Sequence, residues 1–286
     1  MVRHFFSLVK FSHTVFAMPF ALIGFFGAWY DLGLGAFPLK ILFLVVLCMI
    51  FARNAAMGFN RYIDREYDGK NQRTKNREIP AGIISPKTAL IFVIVNCILF
   101  CVTTLFINCL TFWLSFVALA VVLGYSYTKR FTSLCHFVLG LGLAIAPTGA
   151  YISLTGSFAL FPVLLSVFVL FWVGGFDILY ALLDENFDKE NKLYSVPALL
   201  GHRNAVILSA AVHLIPLSIA LLTGILFNRG RLYWTGCIIF IILLIYQHLV
   251  MTPKNLNRVN ASFGSVNGIA SVCYAFFSIM DMFWEL

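Results

Sequence analysis

Two short polar stretches interrupt an otherwise apolar chain, and their spacing is that of a binding site. In the first, FNRYIDREYD at 59–68, Asn60, Asp64 and Asp68 stand four residues apart. On a helix turning 100° per residue, side chains at i, i+4 and i+8 fall within roughly 80° of one face. In the second, DILYALLDENFD at 177–188, Asp177, Tyr180, Asp184 and Asp188 share a similarly narrow face. The chain has only twelve acidic residues, and these patches take a large share of them. Carboxylates held so close repel one another unless a cation stands between them. Oxygen-rich acidic sites suit Mg²⁺, which completes its shell with substrate phosphates. Two such patches face to face, with two or more Mg²⁺ between them, would hold a diphosphate and make it a better leaving group. Suitable cations lie nearby: Arg73, Lys75 and Arg77 after the first patch, and Lys129–Arg130 in a later loop. Arginine forks match phosphate oxygens bidentately, and lysine adds a point charge.

Each patch continues the end of a long apolar run, so the elements that position them are membrane spans. The 286 residues are 61% hydrophobic and 11% charged, with a mean hydropathy of +0.92. A soluble domain of this size cannot hide that much apolar surface. The expectation is an all-α integral membrane bundle, one transmembrane domain over 1–286 with no appended soluble domain. Nine apolar runs are marked, at about 11–30, 38–60, 86–107, 111–128, 132–152, 158–180, 204–226, 232–251 and 261–284. Met1–Lys10 leads directly into the first run, so no cleavable leader is expected. The seven cysteines lie in or beside apolar runs without a C-x-x-C pair, and read as small buried hydrophobes. His213 and His248 lie singly on apolar runs and read as packed or interfacial. The Gly-rich run 139–149 reads as close helix packing, with a place along a substrate tunnel as the other possibility.

An odd number of spans puts the termini on opposite sides. With the N-terminus on side one, that side carries sixteen of the twenty Lys and Arg residues. Lys40, Arg229 and Arg231 lie opposite, and Arg53 lies inside a run. Side one is therefore cytoplasmic, and both acidic patches reach it and can meet. Trp29, Trp113, Trp234 and Trp284 fall at the far interface, as an aromatic belt does. The net charge of +8 sits mostly in short loops, where topology control and phosphate handling explain it better than nucleic acid. Thirty phenylalanines would line a bundle that accepts a long lipid tail and shields a carbocation with aromatic faces. Diphosphate loss from an allylic lipid, followed by capture of the cation, uses all these parts.

Asn60-x₃-Asp64-x₃-Asp68, followed by Arg73-Thr74-Lys75-Asn76-Arg77, and Asp177-x₂-Tyr180-x₃-Asp184-x₃-Asp188 resemble the two signature regions of the UbiA superfamily of intramembrane prenyltransferases. The resemblance covers nearly the whole chain and includes YSYTKR at 125–130. It implies nine helices around a central cavity, capped on the cytoplasmic side by the Asp-rich loops. It also implies Mg²⁺-dependent transfer of a polyprenyl chain from its diphosphate to an acceptor. Asn60, Asp64 and Asp68 would make one metal–diphosphate contact, and Asp184 and Asp188 the other. Lys129 and Arg130 would contact diphosphate, or Arg130 would grip an acceptor carboxylate. Arg53, two turns before Asn60 on a nearby face, needs a partner inside a span and is expected to meet a diphosphate or an aspartate. Arg73 and Arg77 are expected on the diphosphate.

The stretches 10–24 and 52–82 resemble the bacterial 4-hydroxybenzoate polyprenyltransferase-like group, which includes enzymes acting on a dihydroxynaphthoate. That implies an aromatic acid acceptor, a place in ubiquinone or menaquinone biosynthesis, and a bacterial inner-membrane location. Arg61, where many ubiquinone-branch enzymes carry Asp, tilts the reading towards the naphthoate. Asp177 would polarise or deprotonate the acceptor hydroxyl, and Tyr180 would stabilise the departing diphosphate or the cation. Packing and support of Asp184 are the other roles open to both. Two rivals stay open: a related enzyme with a haem- or chlorophyll-type acceptor, and a cation-coupled transporter. A transporter would be expected to carry its acids nearer the mid-plane.

Overall fold

In a lipid environment every backbone N–H and C=O must be satisfied within its own segment, and the apolar runs accordingly become helices. The computed structural model describes Leu8, residues 17–250 and residues 256–284, without the side chains of 250 and 256–264. Among the described residues there is no strand. The helices are α1 (Met18–Asp31), α2 (Leu39–Ile63), α3 (Arg65–Lys70), α4 (Pro86–Leu105), α5 (Cys109–Thr128) and α6 (Cys135–Thr155). They continue with α7 (Leu160–Ala181), α8 (Glu185–Glu190), α9 (Val196–Leu226), α10 (Arg231–Val250) and α11 (Leu256–Trp284). A 3₁₀ turn, Leu182–Asp184, joins α7 to α8.

Eight helices among the described residues are long and apolar enough to cross a membrane: α2, α4, α5, α6, α7 with its continuation, α9, α10 and the 265–284 part of α11. The first of the nine runs is represented by α1, whose 14 residues fall short of a span. Residues 11–16 of that run lie outside the described residues, as do Arg3, Lys10 and Lys254 of the charge count. The helix of the seventh run, α9, begins at Val196, eight residues before the run at 204. Its first turn is set at an angle by Gly201, whose φ of +76° excludes most other residues. Because Gly201-His202-Arg203-Asn204 follows that turn and reads as a polar break, hydropathy alone starts the span only after it.

Capping fixes several starts. Ser85, Asn108 and Ser195 each accept a backbone N–H from the first turn of the helix that follows. The core sits around α7, which packs on α6 and α9. Phe168 and Trp172 of α7 are fully buried against Phe20, Phe240 and Tyr274. At one end of the bundle Tyr151 donates to Asp31 at 2.8 Å and Asn108 donates to the Ile152 carbonyl at 2.9 Å. The acidic patches stand at the other end.

Candidate active site

Both patches form at the ends of long helices, and both are broken at the same place. α2 stops at Ile63, and Asp64 takes φ −88°, ψ 5° before α3 begins. α7 stops at Ala181, and Asp184 takes φ −112°, ψ 8° before α8 begins. These values lie in the sparsely populated bridge region. The break does not scatter the side chains, because Asp64 N–H still bonds Asn60 O at 2.9 Å and Asp68 N–H bonds Asp64 O at 2.8 Å. Of the sequence-predicted site residues all but Lys75, which is exposed outside it, line one cavity of about 300 Å³: Arg53, Asn60, Asp64, Asp68, Arg73, Arg77, Lys129, Arg130, Asp177, Tyr180, Asp184 and Asp188.

Every carboxylate there has a basic partner. Arg77 Nη1 donates to Asp68 Oδ1 at 2.6 Å, with the buried Arg61 at 4.0 Å from Oδ2. Arg130 Nη2 donates to Asp64 Oδ1 at 3.2 Å and to the Ile63 carbonyl at 2.9 Å, its guanidinium over the rings of Tyr67 and Tyr127. Lys129 Nζ lies 2.7 Å from Asp188 Oδ1, and Ser195 Oγ donates to Asp188 Oδ2 at 2.8 Å. Arg73 grips Asp184 with two nitrogens and donates from Nη1 to Tyr180 Oη at 3.0 Å. Asn71 Nδ2 adds a bond to Asp184 Oδ1 at 2.9 Å. The loop after the first patch thus reaches the second through Asn71 and Arg73, and returns to the first through Arg77.

The local field follows from these pairs. Burial pushes the Asp64 carboxyl up, Asp68's charge adds to it, and Arg130 opposes both. Burial works against the charge of Lys129, but Asp188 outweighs it and the ammonium is held above the ordinary lysine range. Burial likewise opposes Arg73, and its bonds to Asp184 raise it on balance.

The donor set fits a divalent ion shared with a phosphate ligand. Asn60 commits its amide nitrogen to Asp64 Oδ2 at 2.9 Å, which leaves its carbonyl oxygen as the free donor. Asp68 Oδ2 is buried without a hydrogen-bond donor. Among the described residues no three His, Cys, Asp or Glu side chains gather closely enough to hold a metal alone. A hard cation here would take one or two carboxylates from the chain and the remaining oxygens from substrate and water.

Arg53 sits deeper. It lines the polar cavity and also a second, mainly apolar one of about 510 Å³; both are bordered by Met57, Tyr125, Leu139 and Leu143 as well. Its Nε has no hydrogen-bond partner among the described residues, so no aspartate meets it there. Sequence reasoning passed over His136, Asn71, Ser195 and Tyr67. His136 begins an apolar run, and Asn71 and Ser195 read as loop and cap, so nothing in their spacing sets them apart. Only the long-range contacts do. Arg61, read as a clue to the acceptor, is buried beside Asp68.

The all-helical bundle thus brings two aspartate patches and a set of fixed cations to one cavity at one end of its apolar helices. Residues 17–279 match the model of the UbiA prenyltransferase family, and the chain belongs to that family and is a prenyltransferase. It is 33% identical over 207 residues to a 4-hydroxybenzoate octaprenyltransferase of Aliivibrio salmonicida (strain LFI1238), covering 70% of this chain and 72% of that one. A second such enzyme, of Pseudomonas syringae pv. syringae (strain B728a), is 32% identical over 71% and 69%. The apo structure of a UbiA homologue from Aeropyrum pernix K1 superposes with a TM-score of 0.83 at 27% identity, covering 94% of this chain and 98% of that one. A UbiA homologue from Archaeoglobus fulgidus, solved with DMAPP and Mg²⁺, shares the fold with a TM-score of 0.70 at 19% identity over 94% and 98%.

Proposed function

We propose that this prenyltransferase moves a polyprenyl chain from an allylic polyprenyl diphosphate to an aromatic acid, 4-hydroxybenzoate or a dihydroxynaphthoate, in quinone biosynthesis. The bundle has nine spans, with the site on the cytoplasmic face of a bacterial inner membrane. The observation that carries the reading is the junction of two cavities, one polar and lined by both aspartate patches, the other apolar, sharing Arg53 at their border. A prenyl diphosphate has the same two parts joined at its reacting carbon. The relatives named as 4-hydroxybenzoate octaprenyltransferases support the acceptor class.

Mg²⁺ held by Asn60, Asp64 and Asp68 on one side and by Asp184 and Asp188 on the other would neutralise the diphosphate and make it a better leaving group. The chain's own groups do the rest. Arg73, Arg77 and Lys129 turn from their aspartates to phosphate oxygens, and Arg53 meets the diphosphate from the apolar side. Arg130, stacked on Tyr67 and Tyr127, offers its remaining N–H donors to the acceptor carboxylate. Tyr180, beside Arg73, steadies the departing diphosphate or the allylic cation. Asp177 takes the acceptor's hydroxyl proton, so that electron density moves into the ring.

The test is incubation of purified protein with Mg²⁺, a polyprenyl diphosphate and a panel of acceptors, followed by product analysis. Prenylated aromatic acid is the expected product. Labelling of a haem- or chlorophyll-type macrocycle instead would overturn the acceptor class. Cation counter-flow in proteoliposomes without any covalent product would overturn the chemistry.

A further inference from the structure

Five carboxylates line the polar cavity, and four of them are matched to permanent cations: Asp64 to Arg130, Asp68 to Arg77, Asp184 to Arg73 and Asp188 to Lys129. Asp177 alone is matched to an imidazole. His136, on the first turn of α6 and 2% exposed, places Nδ1 2.7 Å from Asp177 Oδ2. The backbone N–H of Val196 donates to His136 Nε2 at 3.2 Å. A nitrogen that accepts a bond carries no proton, so the ring is neutral, with its hydrogen on Nδ1 and directed at Asp177. Asp177 Oδ1 has no hydrogen-bond partner among the described residues, and Asp177 borders the cavity.

The stretch that supplies the Val196 N–H also serves the second patch. Tyr194 N–H bonds the Lys129 carbonyl at 2.7 Å, Cys135 Sγ donates to Tyr194 O at 3.5 Å, and Ser195 Oγ holds Asp188. One short segment therefore sets both a diphosphate-side carboxylate and the orientation of His136.

We infer that His136 is a positioning residue for prenyl transfer: anchored by Val196, it fixes Asp177 through one oxygen and aims the other at the acceptor hydroxyl. The inference rests on the reading above that the acceptor is a hydroxylated aromatic acid. The acceptor O–H gives its proton to Asp177 Oδ1 as the activated ring carbon bonds to the prenyl C1. The C1–O bond to diphosphate breaks with its electron pair remaining on diphosphate. The substituted ring carbon then loses its hydrogen as a proton, and the oxygen regains one from Asp177. One proton and one diphosphate are released per turnover, and His136 keeps its hydrogen throughout.

Glutamine has one donor end and one acceptor end, so His136→Gln can reproduce both bonds. His136→Leu can make neither, and His136→Asn carries the same groups on a stem too short to reach both partners. With wild type and the three variants purified in detergent, kcat, both KM values and thermal unfolding are measured. His136→Leu and His136→Asn are expected to lose about 100-fold in kcat, the usual scale of a misplaced reacting group, with KM for the prenyl diphosphate unchanged. His136→Gln is expected within a few-fold of wild type. Should His136→Leu not fold, the contrast between Gln and Asn decides. Wild-type kcat in His136→Leu or His136→Asn, or a loss in His136→Gln as deep as in His136→Asn, would overturn the inference alone. A parallel rise in diphosphate KM with lower thermal stability would make His136 merely structural. A wild type that prenylates no hydroxylated aromatic acid would overturn the functional reading and this assignment together.

Discussion

Removing the Arg73 guanidinium tests how the two patches are held together. Arg73 grips Asp184 through two nitrogens and Tyr180 through a third, and its side chain is 27% exposed against 11% for that of Asp184. In Arg73→Ala the carboxylate keeps, among the described residues, only Asn71 Nδ2 as a donor. Breaking a fully buried ion pair costs about 3–5 kcal/mol; with Arg73 a quarter exposed, about 2–3 kcal/mol is the better expectation. Thermal unfolding in detergent, without ligand, reads this loss. Activity should fall further than stability does, because the same guanidinium serves the leaving group; one lost donor of that kind costs about 100-fold or more in kcat. Arg73→Lys keeps the charge but not the fork, and should fall between the two proteins in both measurements. An Arg73→Ala protein that is less stable yet turns over at the wild-type kcat would refute the reasoning. Arg73 would then be a strap between the patches and nothing more.

Three other outcomes are expected. Arg130→Lys should raise KM for the aromatic acid about 5- to 150-fold, the worth of roughly 1–3 kcal/mol, and raise KM for the prenyl diphosphate far less; the reverse pattern would move Arg130 to the leaving-group side. A cysteine placed in the 70–76 loop should react with an impermeant reagent from the cytoplasmic side only, and one at 229 from the opposite side only; labelling of both from one side would break the span order. Lys129 has its pKa raised in the fold, so its pairing stabilises the protein fully below the unfolded lysine value and loses that only as pH climbs through the folded one. The gap in unfolding temperature between wild type and Lys129→Gln should therefore stay level from neutral pH to about pH 9, and a gap that closes within that range would contradict the pairing.

Much of this was legible in the chain because lipid leaves few options. Apolar runs long enough to span can only be helices, so the runs at 38–60, 86–107 and 158–180 mark α2, α4 and α7 to within a few residues at most ends. The four-residue spacing of Asn60, Asp64 and Asp68 placed them together, although the helix is broken at Asp64 and the wheel that predicts one face assumes it is not. Hydropathy could not find the angled first turn of α9, since Gly201 and the polar residues around it read as loop. His136 was missed for a different reason. Its role depends on Asp177, 41 residues away, and on a backbone N–H, 60 residues away, and a backbone donor leaves no mark in a sequence. Arg73 and Arg77 were picked out as phosphate cations from type and position alone. That they also neutralise the patches, one on each side, needed the path of the loop.

The most direct test of the account is mass spectrometry of the product formed by purified protein given Mg²⁺, a polyprenyl diphosphate and both candidate aromatic acids. The account predicts one acid carrying the prenyl chain on a ring carbon, with the diphosphate released. It also predicts that the product vanishes in EDTA, returns when Mg²⁺ is restored, and is absent from Asp188→Ala protein of matched expression. A wild-type reaction that yields no prenylated acid, or an Asp188→Ala protein that forms it at the wild-type rate, would contradict the account.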